Sequence, residues 1–235
     1  MTEIEGTVLV TGGTGALGQA VVAELLEAGA HVASTWIVDA ERDRLEAELG
    51  SERLRLVQAD LLSEDGAAAA VSEAGAGRPL TGLVNLVGGF AAGPRTHEAD
   101  PADLERMLKL NLTTAYLTSR AALAGMVESG EGSIVCIGTK TALEPFSGGL
   151  AYSVSKAAVL AMVRALDVEY RGDGIRVNAV LPNVIDTPAN RASMPDADHS
   201  TWVPPQQIAK LIAYLCSPDS AATSGAAIPV YGRAA

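Results

Sequence analysis

A doubly wound parallel α/β sheet of about seven strands, built as a single domain with helices on both faces, is the fold the sequence predicts. Three observations predict it. Short β-branched runs alternate with longer stretches of helical period, the strand-like runs are almost wholly apolar, and a glycine-rich turn follows the first of them. A strand apolar on both faces must be buried on both, as in a parallel sheet covered by crossover helices.

Residues 8–11 form the first expected strand, and residues 17–28 a helix that places Val21, Val22, Leu25 and Leu26 on one face and stops at Gly29, a C-cap residue. Further strands are expected at 32–35, 54–58, 82–86, 133–137, 176–180 and 227–230. The Gly- and Ala-rich stretch 67–77 is linker-like in composition but lies where a crossover helix should run down to a turn. The two longest helical stretches are 102–125 and 151–170. Residues 187–205 break the alternation, with Pro188, Pro195 and Pro204 among polar residues and Met194 and Trp202 as apolar anchors. Such an irregular insertion is expected to be a substrate-binding lid. No shift of composition and no repeat divides the chain, so one domain over 1–235 is expected.

The chain carries 28 acidic against 17 basic side chains, a formal net charge of −11, with no run of Lys and Arg. Nothing builds the basic stripe that a phosphate backbone requires, which excludes nucleic acid as a partner and disfavours an anionic membrane surface. With 48% hydrophobic residues there is enough apolar material for one large core. No apolar run reaches the roughly 18 to 20 residues that span a bilayer. The acidic start Thr2-Glu3-Ile4-Glu5 also lacks the basic region of a signal peptide, so a soluble cytoplasmic protein is expected. Cys136 and Cys216 lie in apolar surroundings and read as core packing, and His31, His97 and His199 lack ligand spacing, so no metal is expected.

Directly after the first strand stands Thr11-Gly12-Gly13-Thr14-Gly15-Ala16-Leu17-Gly18, with a helix beginning inside it. Gly13, Gly15 and Gly18 satisfy the G-x-G-x-x-G spacing, which supplies a positive-φ turn, a position without Cβ where a pyrophosphate approaches, and close packing of helix on strand. The helix N-terminal amides would then face the phosphates. Further along, Tyr152-Ser153-Val154-Ser155-Lys156 opens a long predicted helix and puts a phenol and an ammonium one turn apart on the same face. A tyrosine of ordinary pKa, about 10, transfers protons poorly near neutrality, and a neighbouring cation stabilises its phenolate.

The glycine loop and the Tyr152/Lys156 pair together resemble the short-chain dehydrogenase/reductase family, over nearly the whole chain and with a Rossmann-type fold implied. Asp60, in Gln58-Ala59-Asp60-Leu61, matches the family's adenine-contacting aspartate, and Asn85-Leu86-Val87-Gly88 resembles its Asn-Asn-Ala-Gly element with the first and last residues kept. Asn111 matches the helix asparagine that positions a water beside the lysine. The run 132–139 resembles the fifth strand and its catalytic serine, with Thr139 at the serine position. The run ending Leu181-Pro182, followed by Asn183, Ile185 and Asp186-Thr187-Pro188, is similar to the segment that holds the nicotinamide carboxamide. The resemblance thus implies Asn111, Thr139, Tyr152 and Lys156 as the catalytic set. It implies a cofactor held by the loop from Gly12 to Gly18 (Gly12, Gly13, Thr14, Gly15, Ala16, Leu17 and Gly18), by Trp36, Asp60, Leu61, Asn85, Val87 and Gly88, by Tyr152 and Lys156 themselves, and by Pro182, Asn183, Ile185 and Thr187.

Departures from the family pattern matter as well. Thr139 retains a hydroxyl able to donate to a carbonyl oxygen, though its methyl restricts χ1. Ala16 stands where a glycine is usual, and Asn183 replaces a glycine, asparagine being among the residues that tolerate positive φ. At the end of strand two, eighteen positions beyond Gly18, the acid that favours NAD is absent and Trp36 stands there. No basic residue follows at Ile37, while Arg42 or Arg44 could swing in from the next helix and Asp39 could reach a ribose; NADP(H) is slightly favoured over NAD(H). The expected function is an NAD(P)H-dependent oxidoreductase acting on a small carbonyl or alcohol substrate, as a homo-oligomer, tetramer or dimer, with the helices 102–125 and 151–170 at its interfaces. Two alternatives stand beside it. The segment around 181–198 is similar to quinonoid dihydropteridine reductase, and a dinucleotide-binding protein without turnover would keep the same loop.

Overall fold

Seven strands, β1 (Thr7–Thr11), β2 (His31–Trp36), β3 (Leu54–Gln58), β4 (Leu80–Asn85), β5 (Gly132–Ile137), β6 (Ile175–Pro182) and β7 (Ala227–Val230), pair in one sheet in a computed structural model that describes residues 1–233. The last two residues of the expected domain, 234 and 235, lie outside the described residues. The sheet is wholly parallel and ordered β3-β2-β1-β4-β5-β6-β7. Strand order reverses between β1 and β4, where a crevice opens at the carboxyl ends of the strands. Every strand foreseen in the sequence is present, with ends moved by one or two residues; β6 runs on to Pro182 because Leu181 and Pro182 still pair with Pro229 and Val230 of β7.

Among the described residues there are eight α-helices: α1 (Ala16–Glu27), α2 (Asp39–Leu49), α3 (Glu64–Ala74), α4 (Pro101–Leu108), α5 (Thr114–Ser129), α6 (Leu150–Tyr170), α7 (Pro188–Ser193) and α8 (Pro205–Cys216). Val21, Val22, Leu25 and Leu26 of α1 pack with Ile208 and Ile212 of α8 on one face of the sheet. Leu123 and Met126 of α5 and Val159, Leu160 and Val163 of α6 fill the other. The 67–77 stretch is a helix to Ala74 and then a turn: α3 starts where the Ser63 hydroxyl accepts the Gly66 amide at 3.0 Å and buries Ala67, Ala70 and Ala74, small enough to bring the helix close to the sheet. Cys136 and Cys216 are buried among apolar neighbours.

Two elements differ from the sequence reading. The helix expected over 102–125 is broken by one π-helical turn, Lys109–Thr113, between α4 and α5. Such a turn accommodates an extra residue and displaces the side chains on it. Here the displaced residue is Asn111, 1% exposed and engaged with a loop outside the helix. The segment 187–205 is not structureless either. It holds α7, capped by the Thr187 hydroxyl, and a 3₁₀ turn at His199–Thr201, and its base is closed by a parallel bridge between Ile185 and Val203.

The carboxyl end of α6 is tied to the loop before β7 through Asp167, whose side chain is 4% exposed. Its carboxylate accepts from the Arg171 guanidinium and the Ser224 hydroxyl, and Gly225, at φ +72°, leaves room for it. Arg171 first and Ser224 second hold this carboxyl below its usual value, against an opposing effect of burial. The folded pKa is depressed, so the stabilisation is present above the ordinary carboxylate range and is lost as pH falls through it. Asp167→Asn is expected to lower stability by about 1–2 kcal/mol at pH 7. In thermal melts from pH 7 to 3 the gap to the parent should close at the acid end; a gap independent of pH would refute the charge-based account.

Candidate active site

The crevice at the reversal of strand order is lined first by the loop between β1 and α1. Gly12 takes φ +68°, and the main chain there is held by its amide donating to the Thr35 hydroxyl at 3.0 Å. Gly13, the residue expected to supply the left-handed turn, does not have positive φ. Its glycine character, like that of Gly18, comes from packing. A Cβ on Gly13 would sit 3.0 Å from Ser34 Cβ, and one on Gly18 would sit 2.5 Å from Gly13 Cα, so both permit α1 to begin directly beneath the loop. α1 has neither a side-chain cap at Gly15 nor an acid in its first turn. Its first amides, around Ala16 and Leu17, therefore keep the positive end of a three-turn helix available to an anion.

Opposite this loop, the turn after β4 is pinned by Thr11, whose hydroxyl accepts the amides of Leu86 (3.1 Å) and Val87 (3.4 Å). Val87 lies against Gly12: a Cβ on the glycine would be 3.2 Å from Val87 Cγ2. Gly88 stands between Asn111 and Lys156, and a Cβ there would meet the Asn111 amide oxygen and come within 3.3 Å of the Lys156 ammonium. Asn85, by contrast, turns its side chain away from the crevice. It is 3% exposed, donates to Ser119 at 3.1 Å and accepts from Thr118 at 2.7 Å, so it braces β4 against α5.

Asn111 grips Gly89 from both sides, accepting its amide at 2.9 Å and donating to its carbonyl at 3.1 Å, and donates again to the Ser155 hydroxyl at 2.9 Å. Ser155 in turn donates to the carbonyl of Tyr152 at 2.8 Å. The π turn is thus coupled to α6 at the level of the tyrosine. Tyr152 and Lys156 lie on the inner side of α6. The phenol is in hydrogen-bond contact with the Thr139 hydroxyl, which is itself 3.3 Å from the Thr141 hydroxyl. Burial pushes the phenol above its ordinary value, with the Thr139 contact pulling the other way.

The Lys156 ammonium is 4% exposed and donates to the carbonyl of Ile137 at 3.0 Å. Burial drags it from an ordinary 10.5 down to about 8, with only the Cys136 thiol below it opposing. An ammonium with one carbonyl acceptor has donors left for hydroxyl oxygens in the crevice.

At the far end, Trp36 closes β2 with the Arg42 guanidinium 4.7 Å above its ring, and Arg42 is paired with Asp39 at 2.8 Å and with Asp43. Arg44 donates to the carbonyl of Thr14 at 3.2 Å, and the Thr14 hydroxyl donates to Glu41 at 2.9 Å. Asp60 is exposed and accepts the Leu62 amide at 3.0 Å, whereas the Leu61 side chain belongs to the core and offers a ligand only its main chain. On the other rim Pro182 ends β6 and Asn183 continues the pairing by donating to Val230 at 3.3 Å. Asn183 does not need left-handed backbone, since no described residue other than glycine has positive φ. The Ile185 carbonyl accepts from Asn190 at 2.8 Å, and Thr187 accepts the Asn190 amide at 3.2 Å, so both are fixed by the start of α7.

Ser155, Thr35 and Thr141 bond to these residues without having been foreseen. Ser155 had a signal, one turn from Tyr152 on the same helix; Thr35 and Thr141 are single hydroxyls on a strand and a 3₁₀ turn, with nothing in the spacing to mark them. Among the described residues no group of three or more His, Cys, Asp or Glu side chains is placed to hold a metal, and no helix is long and apolar enough to cross a membrane.

The family model described as short chain dehydrogenase matches residues 6–198. The chain is 32% identical to 2-(S)-hydroxypropyl-CoM dehydrogenase 3 of Xanthobacter autotrophicus, covering 96% of this chain and 94% of that protein. It is 35% identical to 3-beta-hydroxysteroid dehydrogenase of Comamonas testosteroni, over 92% and 91% respectively. Among solved structures it is similar to a blue fluorescent protein from a metagenomic library in complex with NADPH, with TM-score 0.84, 32% identity, and coverage of 97% of this chain and 98% of that one.

Proposed function

Since this chain belongs to the short chain dehydrogenase family, and is thereby an oxidoreductase that uses a nicotinamide dinucleotide, we propose that it interconverts a small ketone and its secondary alcohol with Tyr152 as the proton donor and acceptor. The observation that carries this is the phenol of Tyr152 in contact with the Thr139 hydroxyl, one helical turn from a buried ammonium without a carboxylate partner. The crevice suits the cofactor. Gly13 and Gly18 let α1 begin directly beneath the loop, the amides opening α1 suit the pyrophosphate, and Lys156 has donors for ribose hydroxyls. When bound, the reduced cofactor supplies a hydride to the carbonyl carbon.

The protein's own part is to meet the negative charge that grows on the oxygen. Thr139 fixes that oxygen by a hydrogen bond, and Tyr152 delivers the proton. Lys156 favours the phenolate that remains. Asn111 holds the Gly88–Gly89 turn beside the lysine and, by the family resemblance, the water that links Lys156 to solvent. The Thr139–Tyr152 contact favours carbonyl reduction over both alternatives, quinonoid pteridine reduction and dinucleotide binding without turnover. Trp36 in place of an acid, with Arg42 and Arg44 reaching the same end of the crevice, favours NADP(H); Asp39 and Asp43 beside Arg42 keep the preference small. Apolar Val168 on α6 and Tyr116 and Val127 on α5, all exposed, suit a homo-oligomer interface, and a cytoplasmic setting suits the cofactor.

Oxidation of NADPH and NADH should be followed against a panel of ketones, 3-oxoacyl thioesters and quinonoid pteridine. Turnover with ketones and a preference of a few-fold for NADPH in kcat/KM are expected. Turnover with the pteridine alone, or with nothing in the panel, would overturn the reading.

A further inference from the structure

The chain has two phenylalanines, both exposed: Phe90 packs against Tyr152, and Phe146 packs on Phe90. Phe90, on the loop after β4, is 64% exposed, and Phe146, on the loop before α6, is 40% exposed. Their rings stack at 6.3 Å and 20°, and the Phe90 ring meets the Tyr152 ring at 5.0 Å and 71°. Neither belongs to the two clusters that form the core. Both rings are held in place by features of the site. The residue before Phe90 is Gly89, gripped on both sides by Asn111. The Phe146 ring lies over Gly149 so closely that a Cβ there would come within 2.6 Å of it. Beyond Phe146 lies a cavity of about 710 Å³ lined by Ala142, Pro145, Leu150 and Val154, with Arg95 and His97 also on its wall.

An exposed, fixed pair of rings keeps apolar surface in water that a ligand's own ring would remove, and stacked or edge-on rings add attraction beyond the buried area. The two ring faces themselves offer a polyol no hydrogen bond in exchange for lost water.

We infer that Phe90 and Phe146 form the substrate subsite and that it takes ketones or secondary alcohols carrying a flat apolar ring within a few bonds of the reacting carbon. The inference rests on the proposed role of Tyr152. In the reducing direction the ketone carbon gains a hydride from the reduced cofactor and its oxygen gains the Tyr152 proton, giving the alcohol, the oxidised cofactor and a phenolate that takes its proton back from solvent.

The test compares 4-phenyl-2-butanone with 2-butanone, whose carbonyls have the same immediate neighbours. The parent protein should prefer the phenyl ketone by about tenfold or more in kcat/KM, mainly through KM, and Phe90→Ala and Phe146→Ala should each reduce that ratio several-fold while Phe90→Tyr keeps it. Calorimetric titration of the phenyl ketone into protein with NADP⁺, where no hydride is available, should show affinity weakened by the same alanine variants. A ratio near one in the parent, or ratios and affinities untouched by both alanine variants, would overturn the subsite. Ring binding that depends on Phe90 without any turnover would instead sink the oxidoreductase reading and leave the subsite standing.

Discussion

Tyr152→Phe is expected to lower kcat by on the order of 10³, within the range that positioned acid–base groups supply, while leaving cofactor affinity within about twofold. Only the phenolic oxygen is removed. The ring stays against Phe90, and the helix keeps Ser155 bonded to the Tyr152 carbonyl, because that acceptor is main chain. Stopped-flow oxidation of NADPH measures the first quantity and fluorescence titration of NADPH the second. Unchanged turnover would remove Tyr152 from the chemistry, and equal loss of binding would mean that the substitution had disturbed the crevice.

Lys156→Met is the second large effect, and it has opposite signs in activity and in stability. Turnover should fall to near background, because the donors for the ribose hydroxyls and the charge that favours the phenolate disappear together. Stability at pH 7 should rise, by roughly 5 °C in melting temperature, since an ammonium buried with one carbonyl acceptor is costly to hold charged. The folded pKa, about 8, lies below the ordinary 10.5. Below about pH 8 the parent bears the full penalty of the buried charge; between about 8 and 10.5 the folded protein loses its proton before the unfolded chain does, and the penalty fades. The melting gap between variant and parent should therefore be constant at neutral pH and shrink across that alkaline window. A gap that widens there would contradict the burial of the charge.

Much of this architecture could be read from the chain because apolar strands and glycine spacing act locally. Val8 to Val10 and Ile134 to Cys136 are buried on both sides and admit no other element. The four residues proposed for the chemistry could be singled out because Thr139 follows a strand end, Tyr152 and Lys156 form a pair of fixed spacing on a long helix, and Asn111 matches a family position. What escaped was set by tertiary contact. The wide turn at Asn111 exists because its amide reaches across to Gly89, and no periodicity in 102–125 announces that reach. Asn85 matched a motif, yet the direction of its side chain is decided by Thr118 and Ser119 more than thirty residues away. The left-handed residue of the loop between β1 and α1 is Gly12 and not Gly13, a distinction among adjacent glycines that spacing alone does not make. Helix α2 had little signal, for Leu45 is its only buried residue.

The bridge between Ile185 and Val203 gives the chain between them an independence that the rest of the crevice lacks. With the two stems fastened together, residues can be gained, lost or exchanged at the tip without transmitting strain to β6 or α8. The excursion beyond Thr187 could therefore be remodelled while the glycine loop stays untouched, so chimaeras that exchange it between Pro188 and Val203 should still fold.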